Sequence, residues 1–404
     1  MALTRELDDL VAVALVAALA PLIVAALPGP RIPQVVVLLF GGVLIGPHVL
    51  GVADSSDIQL LSNIGLGFLF LLAGYELDPR VLGQRPGQLA IAGWLISAAI
   101  AVGVVAALGA AGYIRDYVPV GLALTTTALG TLLPILRDNK MLDGEFGEHV
   151  HAAGTIGELF PILIIAVFLT RRGHFVALAS VALVGLLALV LTVVPWLTRS
   201  RAVQRMIRES QNATGQITLR WSLVLLLVLL VIASRFGLDV VLGALLAGVV
   251  LRGWTHRMNI DTEALEHKFD AVGYGVFIPI FFIASGMTLD LPAITRDPLR
   301  LLIFFVLLLL VRGVPSLFVY RRTLGRRQRL EMTFITATTM PLLVALAEIG
   351  EHDGVMLPAT AAALIGAGAL SVLVYPLIAV TLHRSAPPAA RAARASGGGA
   401  LDGG

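Results

Sequence analysis

Apolar segments long enough to cross a lipid bilayer recur along almost the whole chain. About 20 apolar residues span the ~30 Å hydrocarbon core as a helix, and a segment in that core must satisfy its own backbone polar groups. We find about thirteen such segments, roughly at 8–28, 33–51, 58–76, 87–112, 117–136, 148–170, 175–198, 216–236, 237–252, 267–287, 299–320, 329–349 and 355–383. The sequence therefore predicts an all-α polytopic membrane protein with about thirteen transmembrane helices.

The amino-acid composition supports this fold class and excludes several functions. Hydrophobic residues make up 57% of the chain and charged residues 14%, whereas soluble domains carry about 25% charged residues. The chain has no cysteine, which excludes disulfides, thiolate metal sites and thiol catalysis. No nucleophile, metal-ligating or phosphate-binding pattern is visible, so we expect no enzyme activity, no cofactor and no nucleic-acid partner.

Lysine and arginine residues are distributed unevenly between the two sets of alternate loops. One set holds seven of them, namely Arg5, Arg115, Arg171, Arg172, Arg235, Arg296 and Arg300. Arg312 lies inside a predicted span, and the other 21 of the 29 basic residues fall in the opposite set or in the C-terminal tail. Because basic loops tend to stay in the cytoplasm, we expect an inner-membrane protein with its N-terminus outside and its C-terminus in the cytoplasm.

One membrane domain is predicted over residues 1–386. The segment before its first span is not the basic leader of a signal peptide, since it reads MALTRELDD, so we expect that span to be retained. Residues 387–404, PPAARAARASGGGALDGG, are low in complexity and predict a disordered cytoplasmic tail.

The two halves of the membrane domain repeat each other. FLLAGYELD at 70–78 and FIASGMTLD at 282–290 share Phe, Gly, Leu and Asp at an offset of 212 positions. GVLIG at 42–46 corresponds to ALLAG at 244–248 at an offset of 202. Each pairing joins spans seven apart, and spans an odd number apart cross the membrane in opposite directions. The sequence thus predicts an inverted-topology repeat, with halves at roughly 33–170 and 237–383.

Each half contains one span whose helix we expect to be interrupted. ALTTTALGTLLPIL at 123–136 carries three consecutive threonines and a proline, and FITATTMPLLVAL at 334–346 carries a similar group. Proline and β-branched hydroxyl residues weaken helical hydrogen bonding, and freed carbonyls can coordinate a cation where they line a cavity. The alternative is that the threonines bond back to their own helix and the prolines only kink it. The corresponding candidates are Thr126 and Thr127 in the first half and Thr338 and Thr339 in the second.

Glu158 lies near the middle of the predicted span at 149–170. A carboxylate at bilayer depth costs roughly 3 kcal/mol on insertion scales, so such groups usually mark ion or proton pathways. Glu158 shares a helix face with Thr155 and His151, and a buried carboxylate can exchange a proton for a cation at the same oxygens. We therefore predict Glu158 and Thr155 as cation and proton ligands. His151 is a candidate proton relay, with a role as an interface residue as the alternative.

Arg312 is the basic residue that lies deepest in a predicted span. We expect it to be the charge partner of Glu158. A purely structural Glu158–Arg312 pair that fixes helix packing is the alternative. The two roles are compatible, since Arg312 could hold the carboxylate until a cation displaces it.

Several segments together resemble the monovalent cation/proton antiporter family, which contains bacterial sodium/proton exchangers and glutathione-gated potassium efflux systems. The resemblance covers about 33–380. The matching segments, in order, are LLFGGVLIGP, FLFLLAGYELD, ALTTTALGTLLPIL, LGALLAGVVL and IPIFFIASGMTLD.

This resemblance implies a homodimer in which a mobile core exchanges Na⁺ or K⁺ for protons by alternating access. It implies that Thr126 and Thr127 lie at the broken crossover helix, that Glu158 is the ion-binding carboxylate, and that Arg312 is a basic position on a core helix. The chain departs from the family where Asp-Asp, Asn-Asp or Gln-Asp is usual, because it has Gly157 followed by Glu158. The twelfth span has TTMPL in place of Arg-Gly-Glu. One deep carboxylate implies one proton per cation.

Two other functions fit the same scaffold. A transporter of an organic anion would use Arg312 as the binding group. A membrane sensor that does not transport would need neither the standard acidic pair nor an ion pathway.

Overall fold

The computed structural model describes residues 2–26, 33–76, 83–168, 182, 185–191, 216–236, 240–258, 262–352 and 354–385. Regular structure within these residues is helical, with short 3₁₀ and π-helical turns. The predicted tail at 387–404 lies outside the described residues. So does most of the seventh predicted span, of which 185–191 is described as helix.

The helices begin and end close to the predicted spans. In chain order they are α1 (Ala2–Ala26), α2 (Gln34–Ile45), α3 (Gln59–Glu76), α4 (Arg85–Ala110), α5 (Tyr117–Ala123), α6 (Leu129–Asp138), α7 (Gly144–Phe168), α8 (Ile217–Arg235), α9 (Val240–Met258), α10 (Thr262–Val272), α11 (Ile278–Met287), α12 (Leu291–Arg296), α13 (Pro298–Leu308), α14 (Pro315–Val319), α15 (Arg326–Ala337), α16 (Pro341–His352) and α17 (Pro358–Arg384). π-Helical turns at Gly273–Phe277 and Leu309–Gly313 join α10 to α11 and α13 to α14.

Eight helical segments of the described chain are long and apolar enough to cross a membrane. Two shorter apolar helices lie at 34–45 and 241–255. The predicted all-α membrane class is confirmed. The number of thirteen spans stays a prediction.

Local sequence signals fix where several of these helices start. Asp290 and Asp297 are N-cap residues of α12 and α13, and their carboxylates accept hydrogen bonds from backbone N–H groups three residues later. Pro298 and Pro358 occupy the first turns of α13 and α17, where a missing N–H costs nothing. These caps satisfy N–H groups that a helix cannot pair internally.

The described chain forms two compact units. Unit 1 contains Met1–Ala18, Gly41–Leu77 and Ile162–Met287, and unit 2 contains Leu19–Phe40, Asp78–Pro161 and Thr288–Gly404. Every site residue predicted from the sequence falls in unit 2.

Glycines bring helices of unit 1 into backbone contact. A Cβ at Gly42 would collide with the carbonyl oxygen of Ile283, and a Cβ at Gly74 would collide with that of Leu245. Small residues let membrane helices approach this closely, and the gain is van der Waals contact along both helices.

The inverted repeat is visible in these contacts. A Cβ on Gly46 of α2 would lie 2.9 Å from Met287 Cα of α11, and a Cβ on Gly248 of α9 would lie 2.6 Å from the backbone nitrogen of Tyr75 in α3. The offset of 202 relates Gly46 to Gly248, and the offset of 212 relates Tyr75 to Met287. The contact of α2 with α11 therefore recurs as the contact of α9 with α3.

A buried carboxylate ties α15 to α17 in unit 2. The Glu331 side chain is fully buried, and its Oε2 lies 3.2 Å from His383 Nδ1. Arg327 Nε lies 3.8 Å from Glu331 Oε1, and Arg327 also donates to the carbonyl of Leu382. The Glu331–His383 pair thus joins α15 to the end of α17.

The glycine contacts predict different effects for two alanine substitutions in α3. Gly74→Ala places a methyl group against the Leu245 carbonyl, whereas Gly67→Ala meets only the flexible ends of Leu230 and Leu226, at 3.4 Å or more. Overpacking costs about 1–3 kcal/mol, so we expect Gly74→Ala to lower the unfolding temperature in detergent by about 3–10 °C. Gly67→Ala should leave it within about 1 °C of the parent, because helix propensity favours alanine. Equal effects of the two substitutions would contradict the packing of α3 on α9.

Candidate functional site

The first predicted interruption separates α5 from α6. The Oγ1 of Thr125 donates to the Leu122 carbonyl and that of Thr126 donates to the Ala123 carbonyl, both at 2.8 Å. These hydroxyls satisfy carbonyls that the next helical turn would otherwise use. The helix therefore stops at Ala123, and α6 begins only at Leu129.

The second interruption separates α15 from α16. Thr338 has an extended backbone with a ψ of 120°, and its hydroxyl donates to the Phe334 carbonyl at 2.9 Å. Pro341 begins α16, and a residue before proline is disfavoured in helical conformation. The non-helical segment Thr338–Met340 follows from these two local preferences.

The two interruptions lie directly against each other. Ala128 N donates to the Thr338 carbonyl at 2.9 Å, and the hydroxyls of Thr126 and Thr339 share a hydrogen bond of 2.5 Å. Thr127 Oγ1 donates to the Thr336 carbonyl at 2.8 Å. We call the residues Thr126–Ala128 and Thr338–Met340 the crossing. The prediction of two interrupted crossover helices is confirmed.

Neighbouring helices complete the hydrogen bonding of the crossing. Thr127 N donates to the Gly157 carbonyl of α7 at 3.2 Å, and Thr339 N donates to Ser371 Oγ of α17 at 3.1 Å. These two N–H groups are related by the 212-residue offset of the repeat. Unpaired backbone groups are costly at bilayer depth, so α7 and α17 are part of the site as much as the broken helices.

Glu158 lies beside the crossing. Its Oε1 accepts a hydrogen bond of 2.8 Å from the backbone nitrogen of Leu129, which is the first residue of α6. The N-terminus of a helix carries partial positive charge and stabilises an anion. The side chain is half-buried, so the carboxylate is held by a fixed dipole without being fully enclosed within its unit.

Arg312 reaches the crossing from the π-helical turn at Leu309–Gly313. The residue is 3% exposed; its Nε donates to Thr127 Oγ1 at 2.9 Å, and its Nη2 donates to the Ala153 carbonyl at 3.0 Å. Single π-helical turns often occur at functional sites. These two hydrogen bonds link Arg312 to the first interruption and to α7. Its predicted pairing with Glu158 stays a prediction.

The two remaining predicted residues lie on α7 with Glu158. Thr155 is half-buried and lies one turn before Glu158, whereas His151 is exposed nearer the start of the helix. Their roles as cation ligand and proton relay stay predictions.

Three hydroxyl residues were not among the candidates predicted from the sequence. The Thr336 carbonyl accepts a hydrogen bond from Thr127 Oγ1, and Ser316 Oγ lies 3.1 Å from Thr336 Oγ1. Ser371 Oγ accepts a hydrogen bond from the backbone nitrogen of Thr339. Thr336 lies within the TATT segment and could have been included from its position. Ser316 and Ser371 resemble the ordinary small residues of an apolar span, and no sequence signal separates them from those.

Comparison with known proteins decides the family. The family model described as sodium/hydrogen exchanger, transmembrane, matches residues 12–384. The chain belongs to the sodium/hydrogen exchanger family.

The relatives of this exchanger-family chain are distant in sequence. It is 25% identical over 394 residues to a candidate Na⁺/H⁺ antiporter, YjbQ, of Bacillus subtilis, covering 93% of this chain and 63% of that protein. It is 27% identical over 362 residues to the glutathione-regulated potassium-efflux protein KefC of an Enterobacter species, covering 86% and 56%. The chain thus spans about three fifths of the length of these curated relatives.

A solved structure shares the fold. The sodium proton antiporter MjNhaP1 of Methanocaldococcus jannaschii at pH 8 aligns with a TM-score of 0.66 and 18% sequence identity, covering 95% of this chain and 97% of that one. The arrangement of helices is therefore the exchanger fold.

The hydroxyl pair at the crossing predicts non-additive effects on stability. Thr126→Val takes away the hydrogen bond that the buried Thr339 hydroxyl makes to Thr126, at a cost of about 1–3 kcal/mol. Thr339→Val takes away the same bond but leaves Thr126 Oγ1 bonded to the Ala123 carbonyl. We expect the double substitution to cost less than the sum of the two, because it removes both partners. Thermal unfolding of the four proteins in detergent measures this coupling. Thr381→Val, at an exposed position of α17, is the matched control, and strictly additive effects would contradict the 2.5 Å hydroxyl contact.

Proposed function

We propose that this protein exchanges a monovalent cation, Na⁺ or K⁺, for protons across the membrane by alternating access. The observation that carries the proposal is the position of Glu158, whose carboxylate accepts the Leu129 N–H at the crossing of two interrupted helices. A cation and a proton both neutralise a carboxylate, so each displaces the other from the same oxygens. The names of the exchanger and potassium-efflux relatives support the substrate class.

The proposed cation and proton site contains Glu158, Thr155, Thr126 and Thr127. Thr127 Oγ1 donates one hydrogen bond and accepts one from Arg312, so one lone pair remains for a cation. Glu158 supplies the charged ligand, and water completes the shell of a hard monovalent ion. With one carboxylate at the site, we propose one proton per cation. His151 is the proposed relay, since it is exposed nearer the start of the same helix and an imidazole can both accept and donate a proton.

Binding of an organic anion receives no support from the surroundings of Arg312. Its guanidinium already donates to Thr127 Oγ1 and to the Ala153 carbonyl. The residue is also only 3% exposed, so an anionic substrate could reach its remaining N–H groups only if the surrounding side chains moved.

The membrane orientation and the oligomer are also proposals. The excess of basic residues in one set of loops supports an N-terminus outside and a cytoplasmic C-terminus in the inner membrane. The family resemblance supports a homodimer. The chain has no cysteine, so single cysteines can be introduced in its loops and labelled from either side of the membrane. This measures the orientation directly.

Glu158→Gln tests the proposed function. The amide keeps the size of the side chain but can neither bind a proton as an acid nor attract a cation. In proteoliposomes with an imposed pH gradient, we expect the native protein to dissipate the gradient when Na⁺ or K⁺ is added. Glu158→Gln should behave like protein-free liposomes.

Glu148→Gln is the matched control for this experiment. It removes a carboxylate from an exposed position of the same helix, α7, and should leave the flux unchanged. Flux by folded Glu158→Gln equal to that of the native protein would exclude Glu158 as the shared carboxylate. Absence of flux for Na⁺, K⁺ and Li⁺ with the native protein from pH 6 to 9 would exclude exchange itself.

A further inference from the structure

Position 157 is tightly enclosed by the side chains around the crossing. A Cβ on Gly157 would lie 2.6 Å from Thr127 Oγ1, 2.7 Å from Thr127 Cβ and 2.8 Å from Arg312 Nη2. Contacts under 3.0 Å require a neighbour to move. The residue immediately before Glu158 therefore cannot carry any side chain while Thr127 and Arg312 keep their places.

The guanidinium of Arg312 has little freedom to move away from this position. Its Nε and Nη2 are bonded to Thr127 Oγ1 and to the Ala153 carbonyl, which lies one turn before Gly157 on α7. The backbone of its π-helical turn is also closely packed, since a Cβ on the neighbouring Gly313 would lie 2.6 Å from the Thr333 carbonyl oxygen. Thr127 and α7 thus hold the guanidinium itself, and α15 packs against the backbone turn that carries it.

Arg312 also accounts for an asymmetry of the crossing. The 212-residue offset relates Thr126 to Thr338 and Thr127 to Thr339, so the Thr126–Thr339 hydroxyl pair should have a second copy between Thr338 and Thr127. Instead, Thr127 Oγ1 bonds to Arg312 and to the Thr336 carbonyl. Thr338 Oγ1 bonds to the Phe334 carbonyl of its own helix. The repeat is broken where the guanidinium enters.

We propose that Gly157 and Arg312 form a size-matched pair, in which the guanidinium takes the place of a side chain at position 157 and sets the cation affinity of Glu158. Arg312 is then a positioning residue that fixes Thr127, and it brings a permanent positive charge to the residue that precedes the ion-binding carboxylate. A bound cation is repelled by this charge, which weakens its binding. The effect on affinity rests on the proposed function of Glu158, whereas the size match does not.

The size match is tested by a double-mutant cycle in thermal stability. We expect Gly157→Ala to lower the unfolding temperature by about 5 °C in the native background. In the Arg312→Ser background the same substitution should cost about 2 °C less, because Thr127 alone then opposes the new methyl group. Gly103→Ala is the control, since a Cβ there meets nothing within 4 Å. An unchanged unfolding temperature for Gly157→Ala, or equal costs in the two backgrounds, would overturn the pair.

Arg312→Lys covers the case in which Arg312→Ser does not fold. Lysine keeps the positive charge but lacks the planar fork that makes both hydrogen bonds. The cost of Gly157→Ala should fall in this background too, since the place of Nη2 is no longer filled by a fixed group. If the cost of Gly157→Ala falls in neither the Arg312→Ser nor the Arg312→Lys background, the size-matched pair is overturned.

The effect of Arg312 on cation affinity can be measured without a transport assay. Binding of Na⁺ or K⁺ raises the unfolding temperature in a concentration-dependent way, with choline as the control for ionic strength and Glu158→Gln as the control for binding elsewhere. We expect the half-saturating cation concentration to fall about threefold or more in Arg312→Ser and to change less than twofold in Arg312→Lys. A merely structural role would leave the concentration unchanged in both, and that result would overturn the electrostatic part of the proposal.

Failure of this inference and failure of the proposed function give different results. If the native protein shows no cation-dependent flux but the stability cycle shows coupling, the exchange function is wrong and the size-matched pair stands. If flux depends on Glu158 but the cycle is additive, the function stands and the pair is wrong.

Discussion

The crossing depends on one constraint, which is that backbone groups at bilayer depth need hydrogen-bond partners inside the protein. Two helices of this chain are interrupted there, and their freed N–H groups are paired with the Thr338 carbonyl, the Gly157 carbonyl and Ser371 Oγ. The side chains of the site follow from that pairing. Thr126 and Thr339 meet because the two segments cross, and Glu158 meets Leu129 because α7 supplies partners to the same segment.

Much of the fold could be predicted from the sequence because its signals are local. Membrane spans are continuous apolar segments, and the three threonines of the fifth span and Pro341 of the twelfth each bias their own backbone. Even so, the expectation that a proline helps to interrupt both helices is too broad. Pro134 lies within α6, so the first interruption arises at the threonines before that proline, whereas Pro341 begins its helix.

Tertiary partners could not be predicted from the same signals. Glu331 lies beside an arginine cluster at the start of a span, which is typical of a solvated loop end, yet its side chain is fully buried against His383. Arg312 could be identified as a deep charge, but its hydrogen bonds to Thr127 and Ala153 depend on a π-helical turn that has no clear sequence signature. Gly157 stands out in the sequence only as a missing side chain, and the structure shows that neighbouring atoms exclude one.

Arg312 and Glu158 both contact the segment around the first interruption, and their charges can be followed through the proposed cycle. With Glu158 ionised and no ligand bound, the charges of Arg312 and Glu158 sum to zero. Binding of either a proton or a monovalent cation raises the sum to one positive charge. The two loaded forms are therefore electrically identical, and a membrane voltage drives neither of them across in preference to the other. In the proposed cycle the unloaded form carries no net charge, so charge does not oppose its return across the membrane without a ligand. Tight coupling of cation to proton would then depend on shape and hydration.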